Sequence, residues 1–242
     1  MVDVYFLFTE DFTSKPLDIY EKYLSAEEKD CMSKFLFQKD KDQYLLTRTL
    51  VRKVLSQRLG KRDNEIEFEI NSYGKPNLTN NFKDIVFNVS HTNDLIVMAV
   101  AENAKTIGID VENCSKKIDL SIRKTFLTQQ ELIEFDKLSR PDQKNRLLIL
   151  WTLKESYMKA IGKGFSLSPK SFSFLFRNGK EIQFHENPTE SALNEFSFQL
   201  FEYKNLFKIA LCHTKEFTKV NTVKVMPYWE YEYLHNSFKL LN

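Results

Sequence analysis

The sequence predicts an α+β protein built as two pseudo-symmetric α/β lobes. Each is a small, mainly antiparallel sheet packed on a long helix, and the active site lies at the lobe interface. Two observations lead there. A strand, a capped short helix, a long helix and a group of strands occur twice in the same order. In addition, Leu24-Ser25-x-x-Glu28 and Leu127-Thr128-x-x-Glu131 hold equivalent places in the two runs. No long identity links the halves, so the likeness is one of pattern.

In the first half, Val4 to Phe8 reads as a strand. Ser25 to Glu28 has the form of a capping box and opens a helix toward Phe35. A longer helix runs from about Lys41 to Leu59, with Tyr44, Val51, Val54 and Leu55 on helical spacing and Gly60 closing it. Ile66 to Ile70 alternates as a half-exposed strand does, and Tyr73-Gly74-Lys75-Pro76 is a turn. Ile85 to Val89 and Leu95 to Val100 form a strand pair around a polar bend.

The second half begins with the strand Ile107 to Val111. Thr128 to Glu131 caps a helix toward Leu138, and a long helix spans about Asn145 to Ile161, ended by Gly162 and Gly164. Strands follow at Phe172 to Phe176, Glu181 to Phe184, Phe196 to Phe201 and Leu206 to Leu211. The lobes are therefore expected at 1–103 and 104–225, with 226–242 an aromatic tail packing on one of them.

A chain of 242 residues has length for a real core, and 42% hydrophobic with 28% charged residues is ordinary for a soluble protein. The net charge of +2 implies no general field for nucleic acid or membrane. No apolar run approaches the roughly 20 residues of a membrane span, and the N-terminus has no signal-peptide form. Cys31, Cys114 and Cys212 lack paired spacing and read as reduced thiols in a cytoplasmic protein.

Chemistry concentrates in three stretches. In Ile107-Gly108-Ile109-Asp110-Val111-Glu112, strand alternation puts Asp110 and Glu112 on one face with Gly108, which leaves room for close approach. Two carboxylates there are costly to bury without a cation, and Mg²⁺ suits one or two carboxylates with water and substrate phosphate. Alone, the strand reads better as an edge with a wet acidic face.

In the long second helix, Trp151, Glu155 and Met158 share a stripe, so Glu155 sits on a face otherwise built for burial. The plain alternative is an exposed Glu155–Lys159 pair. Lys154, Lys159 and Lys163 cluster around the glutamate, either as a solvated basic face or as a holder for a polyanion. Phe87-Asn88-Val89-Ser90-His91-Thr92 delivers a hydroxyl and an imidazole to a bend, where both suit a phosphate; the plain alternative is a polar hairpin tip. There is no Walker loop, dinucleotide fingerprint or nucleophile elbow.

Tyr73-Gly74-Lys75-Pro76, Phe87 to His91, Ile107 to Glu112, and Trp151-x-x-Lys154-Glu155-Ser156-x-x-Lys159-x-x-Gly162-Lys163-Gly164 come in order over roughly residues 20–175. Together they resemble the 4′-phosphopantetheinyl transferases of the surfactin-synthetase-activating type. The resemblance implies transfer of the phosphopantetheine arm of coenzyme A to a serine of an apo acyl or peptidyl carrier protein, releasing adenosine 3′,5′-bisphosphate. It makes Asp110, Glu112 and Glu155 ligands of Mg²⁺, with Mn²⁺ as a substitute. Glu155, Lys159 and Glu112 become the catalytic set, with Glu155 taking the serine proton directly or through water. Arg48, Lys75, Pro76, Ser90, His91, Lys154 and Lys159 become contacts to coenzyme A, His91 near its 3′-phosphate.

Some members carry basic residues in the first capped helix, where this chain has Glu28 and Cys31, so Lys29 or Lys34 would compensate. The carrier is expected to dock near Phe126 and Leu127, guided by Lys116, Lys117, Arg123 and Lys124. Since ligands come from both halves, a monomer is expected. The rival reading is a non-catalytic carrier- or nucleotide-binding protein of the same fold, against which the three converging acids count.

Overall fold

A computed structural model describes residues 1–13, 16–79, 82, 84–179, 181–186, 196–214, 219–233 and 239–241. In the first half, strand β1 (Val2–Phe8) leads to helices α1 (Ala26–Ser33) and α2 (Gln38–Leu59), then to β2 (Phe68–Ile70), β3 (Pro76–Leu78), β4 (Ile85–His91) and β5 (Leu95–Glu102). The second half runs β6 (Ile107–Asn113), α3 (Arg123–Phe126), α4 (Gln129–Phe135), α5 (Arg140–Ile161), β7 (Phe172–Arg177), β8 (Glu181–Glu186), β9 (Phe196–Tyr203) and β10 (Phe207–Thr214). Three C-terminal strands follow: β11 (Val220–Val225), β12 (Tyr231–Tyr233) and β13 (Lys239–Leu240).

The α+β, two-lobed expectation holds. One sheet has the order β12-β11-β1-β5-β4 and the other β13-β9-β10-β6, while β2–β3 and β7–β8 are separate hairpins. The two large sheets pack face to face. Val2, Val4, Phe6, Leu95, Val97 and Ala99 of the first meet Ile107, Ile109, Val111, Ile209 and Leu211 of the second. Helix α2 covers the outer face of the first sheet through Leu46, Leu50 and Val54. Helix α5 covers that of the second through Leu150, Leu153 and Tyr157. Strand β5 is thus buried on both faces, and so it reads as an unbroken apolar run.

Both capping boxes form, Ser25 with Glu28 and Thr128 with Glu131. In each lobe the box glutamate is buried and faces a cation of the long helix. Glu28 pairs with Arg52 and Arg48 of α2, and Glu131 pairs with Lys154 of α5 at 3.0 Å. The pseudo-symmetry therefore extends to a shared internal ion pair, which ties each short helix to its long one.

Three expectations change. Helix α5 begins at Arg140, because Ser139 caps it and Pro141 fits the first turn, where a missing N–H costs nothing. Strand β11, inside the stretch expected to belong to the second lobe, lies parallel to β1 in the first sheet. The tail touches both lobes: Trp229 packs on Phe12, Tyr20 and Tyr23, while β13 pairs with β9. Among the described residues no helix is long and apolar enough to cross a membrane.

Candidate active site

Strand β6 divides its side chains between two neighbours. Ile107, Ile109 and Val111 enter the core between the sheets. Gly108, Asp110 and Glu112 face α5 instead. A Cβ at residue 108 would lie 2.9 Å from Ala160 Cα and nearer still to the Ser156 carbonyl oxygen and the Ala160 amide. The close approach that Gly108 permits is thus made by the protein's own helix, which brings Glu155 and Lys159 beside the strand's acids.

Strand β4 completes the set from the first lobe. Asn88 accepts the Ile109 amide on its side-chain oxygen at 2.8 Å, bracing β4 against β6. Ser90 donates to Asp110 Oδ1 at 2.9 Å, and Lys159 Nζ donates to Ser90 Oγ at 2.8 Å and to Asp110 Oδ1 at 2.7 Å. Glu112 accepts from Lys116 at 2.6 Å. His91, the last residue of β4, is exposed. Ser90, His91, Asp110, Glu112, Lys116, Glu155 and Lys159 line a cleft of about 670 Å³ together with Thr47 of α2, Asn93, Asp94 and Asn113. Both lobes supply its walls.

The electrostatics are those of acids short of positive charge. Burial, then repulsion from Asp110 and more weakly Glu112, pushes the Glu155 carboxyl up to about 7, although Lys159 opposes this. Burial also raises Glu112, against the pull of Lys116. Asp110 is 3% exposed, and its Oδ2 has no hydrogen-bond partner among the described residues. Desolvation, then the Lys159 charge, holds His91 below its ordinary value, even though part of the residue is open to solvent.

An orphaned carboxylate oxygen on Asp110, beside two carboxyls that burial raises, fits a hard divalent cation by donor chemistry. Among the described residues, however, no three His, Cys, Asp or Glu side chains stand arranged as a ligand set. Lys159 and Lys116 hold Asp110 Oδ1 and Glu112 Oε1, and Asp110 Oδ2 is left without a hydrogen-bond partner among the described residues.

Several residues expected in the site lie elsewhere. Lys154 is wholly buried, donating to the carbonyls of Pro169 at 2.6 Å and Phe172 at 2.8 Å besides its pair with Glu131, so it does not reach the cleft. Arg48 is paired with Glu28, its guanidinium over the Phe68 ring. The Lys75 ammonium turns inward to Ile107 and Ala160 carbonyls, while Pro76 opens β3. Phe126 and Leu127 are core residues, 5% and 0% exposed, so they cannot form a docking patch. Lys116, expected as a guide for a partner, instead lines the cleft.

Thr47 and Asn88 went unread in the sequence. Asn88 interrupts the apolar run of β4 and shares a face with Ser90, which is a usable signal. Thr47 carries none, and its buried hydroxyl has no hydrogen-bond partner among the described residues.

Comparison with known proteins follows the same division of the chain. Residues 106–212 match the family model of the 4′-phosphopantetheinyl transferase superfamily, and residues 12–103 match that of the 4′-phosphopantetheinyl transferase N-terminal region. The 4′-phosphopantetheinyl transferase gsp of Aneurinibacillus migulanus is 33% identical over 179 residues, covering 74% of this chain and 73% of that protein. The 4′-phosphopantetheinyl transferase Sfp of Bacillus subtilis is 28% identical over 193 residues, covering 80% and 83%. A crystal structure of Thermotoga maritima holo-[acyl-carrier-protein] synthase superposes on 57% of this chain and 82% of its own, at TM-score 0.39 and 20% identity.

Proposed function

The chain belongs to the 4′-phosphopantetheinyl transferase superfamily, and on that premise we propose that it moves 4′-phosphopantetheine from coenzyme A to a serine of an apo acyl or peptidyl carrier protein, with adenosine 3′,5′-bisphosphate as the other product. One observation carries the assignment of the site. Glu155, Asp110, Lys159 and Ser90, from three elements and both lobes, meet in one cleft.

Asp110, Glu112 and Glu155 would hold Mg²⁺, or Mn²⁺ in its place. When bound, the cation supplies positive charge that offsets the pyrophosphate and the charge developing on the leaving group. The protein's own groups do the rest. Lys159 and Lys116 already sit on the acids, and a phosphate entering the cleft offers both ammonium groups a second anion. Ser90 and His91, at the end of β4, donate to phosphate oxygens, with the imidazole directed to the 3′-phosphate. Glu155 accepts the serine proton, directly or through water, as the hydroxyl attacks phosphorus. Lys159 stays with the departing phosphate.

Because one chain supplies both walls of the cleft, a monomer is sufficient. Free thiols at Cys31, Cys114 and Cys212 favour a reducing compartment such as the cytoplasm. The test is intact mass of a panel of apo carrier proteins after incubation with the protein, coenzyme A and Mg²⁺. A mass gain of one phosphopantetheine on a carrier is expected. A folded sample that adds no mass to any carrier, with Mg²⁺ or Mn²⁺, overturns the assignment.

A further inference from the structure

The turn before β3 reaches across from the first lobe to the end of α5. Asn71 shapes it, its side-chain oxygen accepting the amides of Tyr73 and Lys75, both at 2.9 Å. The Asn71 side-chain nitrogen then donates to the Gly162 carbonyl at 2.9 Å. Lys75 leaves this braced turn and donates to the carbonyls of Ile107 at 3.1 Å and Ala160 at 3.2 Å, with Thr106 Oγ1 at 3.5 Å. Thr106 itself donates to the Ala160 carbonyl.

An ammonium has three N–H donors, and here three oxygens surround it, so none is left for a substrate atom. Burial draws the ammonium down to about 8, and the end of the helix offsets part of that cost. Ala160 and Gly162 belong to the last turn of α5, where carbonyls lack helical partners and the helix dipole is negative. Gly162 ends the helix at φ +76°, and a Cβ there would press on Asn71 Nδ2 at 3.1 Å and Lys75 Cδ at 3.2 Å.

We propose that Lys75 is a positioning residue for the transfer reaction: its ammonium pins the C-terminal turn of α5 to the start of β6, and thereby sets Glu155 and Lys159 against Asp110. This rests on the function proposed above. The lever is short. Ala160 follows Lys159 directly, and Ile107 precedes Asp110 by three residues on one strand. Backbone-to-backbone contact at Gly108 leaves no slack between the two elements, so a shift at the clamp is passed to the acids rather than absorbed.

The experiment compares Lys75→Met, which keeps the stem and removes the charge, with Lys75→Arg and wild type. Two readouts are taken below the melting transition of each protein. Steady-state kinetics should show kcat lowered about tenfold in Lys75→Met with KM for coenzyme A changed less than about twofold, the pattern of a lost transition-state alignment. Lys75→Arg should recover part of the loss. Hydrogen exchange on the free protein should quicken in peptides spanning 159–164 and 71–76.

A raised KM with kcat unchanged would mean that Lys75 touches coenzyme A. Faster exchange with kcat unchanged would reduce it to a structural tie. Unchanged exchange removes the clamp altogether. If Lys75→Met fails to fold, Asn71→Ala loosens the same turn while keeping the ammonium, and the same kcat loss at constant KM, in smaller measure, is required. Exchange needs no activity, so an inactive wild type would refute the functional reading without deciding the clamp.

Discussion

Glu155→Gln isolates the charge conflict in the cleft. The glutamate's ordinary value of 4.5 rises to about 7, chiefly through burial and the neighbouring Asp110. The native state therefore holds this proton more tightly than the unfolded chain does. Below about pH 4.5 the group is protonated in both states and costs nothing. Between 4.5 and 7 the native state must surrender a proton it prefers to keep, so stability falls as pH rises, and above 7 the penalty is complete. At about 1.4 kcal/mol per pH unit, the climb corresponds to roughly 3 kcal/mol at most. Glutamine keeps the shape without the charge. Metal-free Glu155→Gln should thus be more stable than wild type by about 1–3 kcal/mol at pH 8, with the gain shrinking toward pH 5. Urea unfolding at both pH values measures this. Millimolar Mg²⁺ should raise the wild-type midpoint at pH 8 and leave that of Glu155→Gln nearly still. A stability difference that does not change with pH, or a variant weaker than wild type at pH 8, would show that Glu155 is a solvated partner of Lys159 and no part of an acid cluster.

The remaining predictions are briefer. Gly108→Ala forces a side chain into the α5 backbone and should cost about 3 kcal/mol or more, read as a lower urea midpoint or loss of soluble protein. Asp110→Asn should lower turnover on the order of 10²-fold, since it removes a charged acceptor shared by Ser90 and Lys159; near wild-type turnover would make the acid a structural one. His91→Ala should raise KM for coenzyme A about tenfold, the equivalent of one lost hydrogen bond to a charged group, yet barely alter that for dephospho-coenzyme A; an equal penalty on both refutes the 3′-phosphate assignment. Specific activity should stay constant on dilution through the nanomolar range, and sedimentation should give a monomer; activity lost on dilution would mean a site shared between chains.

Most of the architecture could be read from periodicity and punctuation. Caps at Ser25 and Thr128, terminal glycines at Gly60 and Gly162, and the alternation of β6 are local signals, and all are realised. Sheet membership of β11 was beyond reach, because parallel pairing with β1 joins the two ends of the chain and leaves no local mark. Within the site, the assignment of Lys154 to the cleft failed for a reason the sequence did contain. Leu147, Leu150, Tyr157 and Met158 surround Lys154 at helical spacing, so it shares the core-facing stripe. Lys159, four residues after Glu155, shares the face of that glutamate. Adjacency in a motif grouped them, whereas the helix separates Lys154 from both by more than a quarter turn.

The duplication explains why that stripe carries a lysine at all. Glu28 and Glu131 each close a capping box with one oxygen and meet a buried cation of the long helix with the carboxylate. Arg52 and Lys154 are the corresponding cations, held in place by the same need to neutralise a buried glutamate. The two lobes are alike in this scaffold and differ where the helices pass the seam. There α2 presents Thr47, while α5 presents Glu155 and Lys159. Face-to-face packing of the sheets sets β4 beside β6, so the first lobe's Ser90 and His91 reach acids held by the second. The scaffold is duplicated and the acids are not, which leaves one such cleft among the described residues and places it where neither lobe alone could build it.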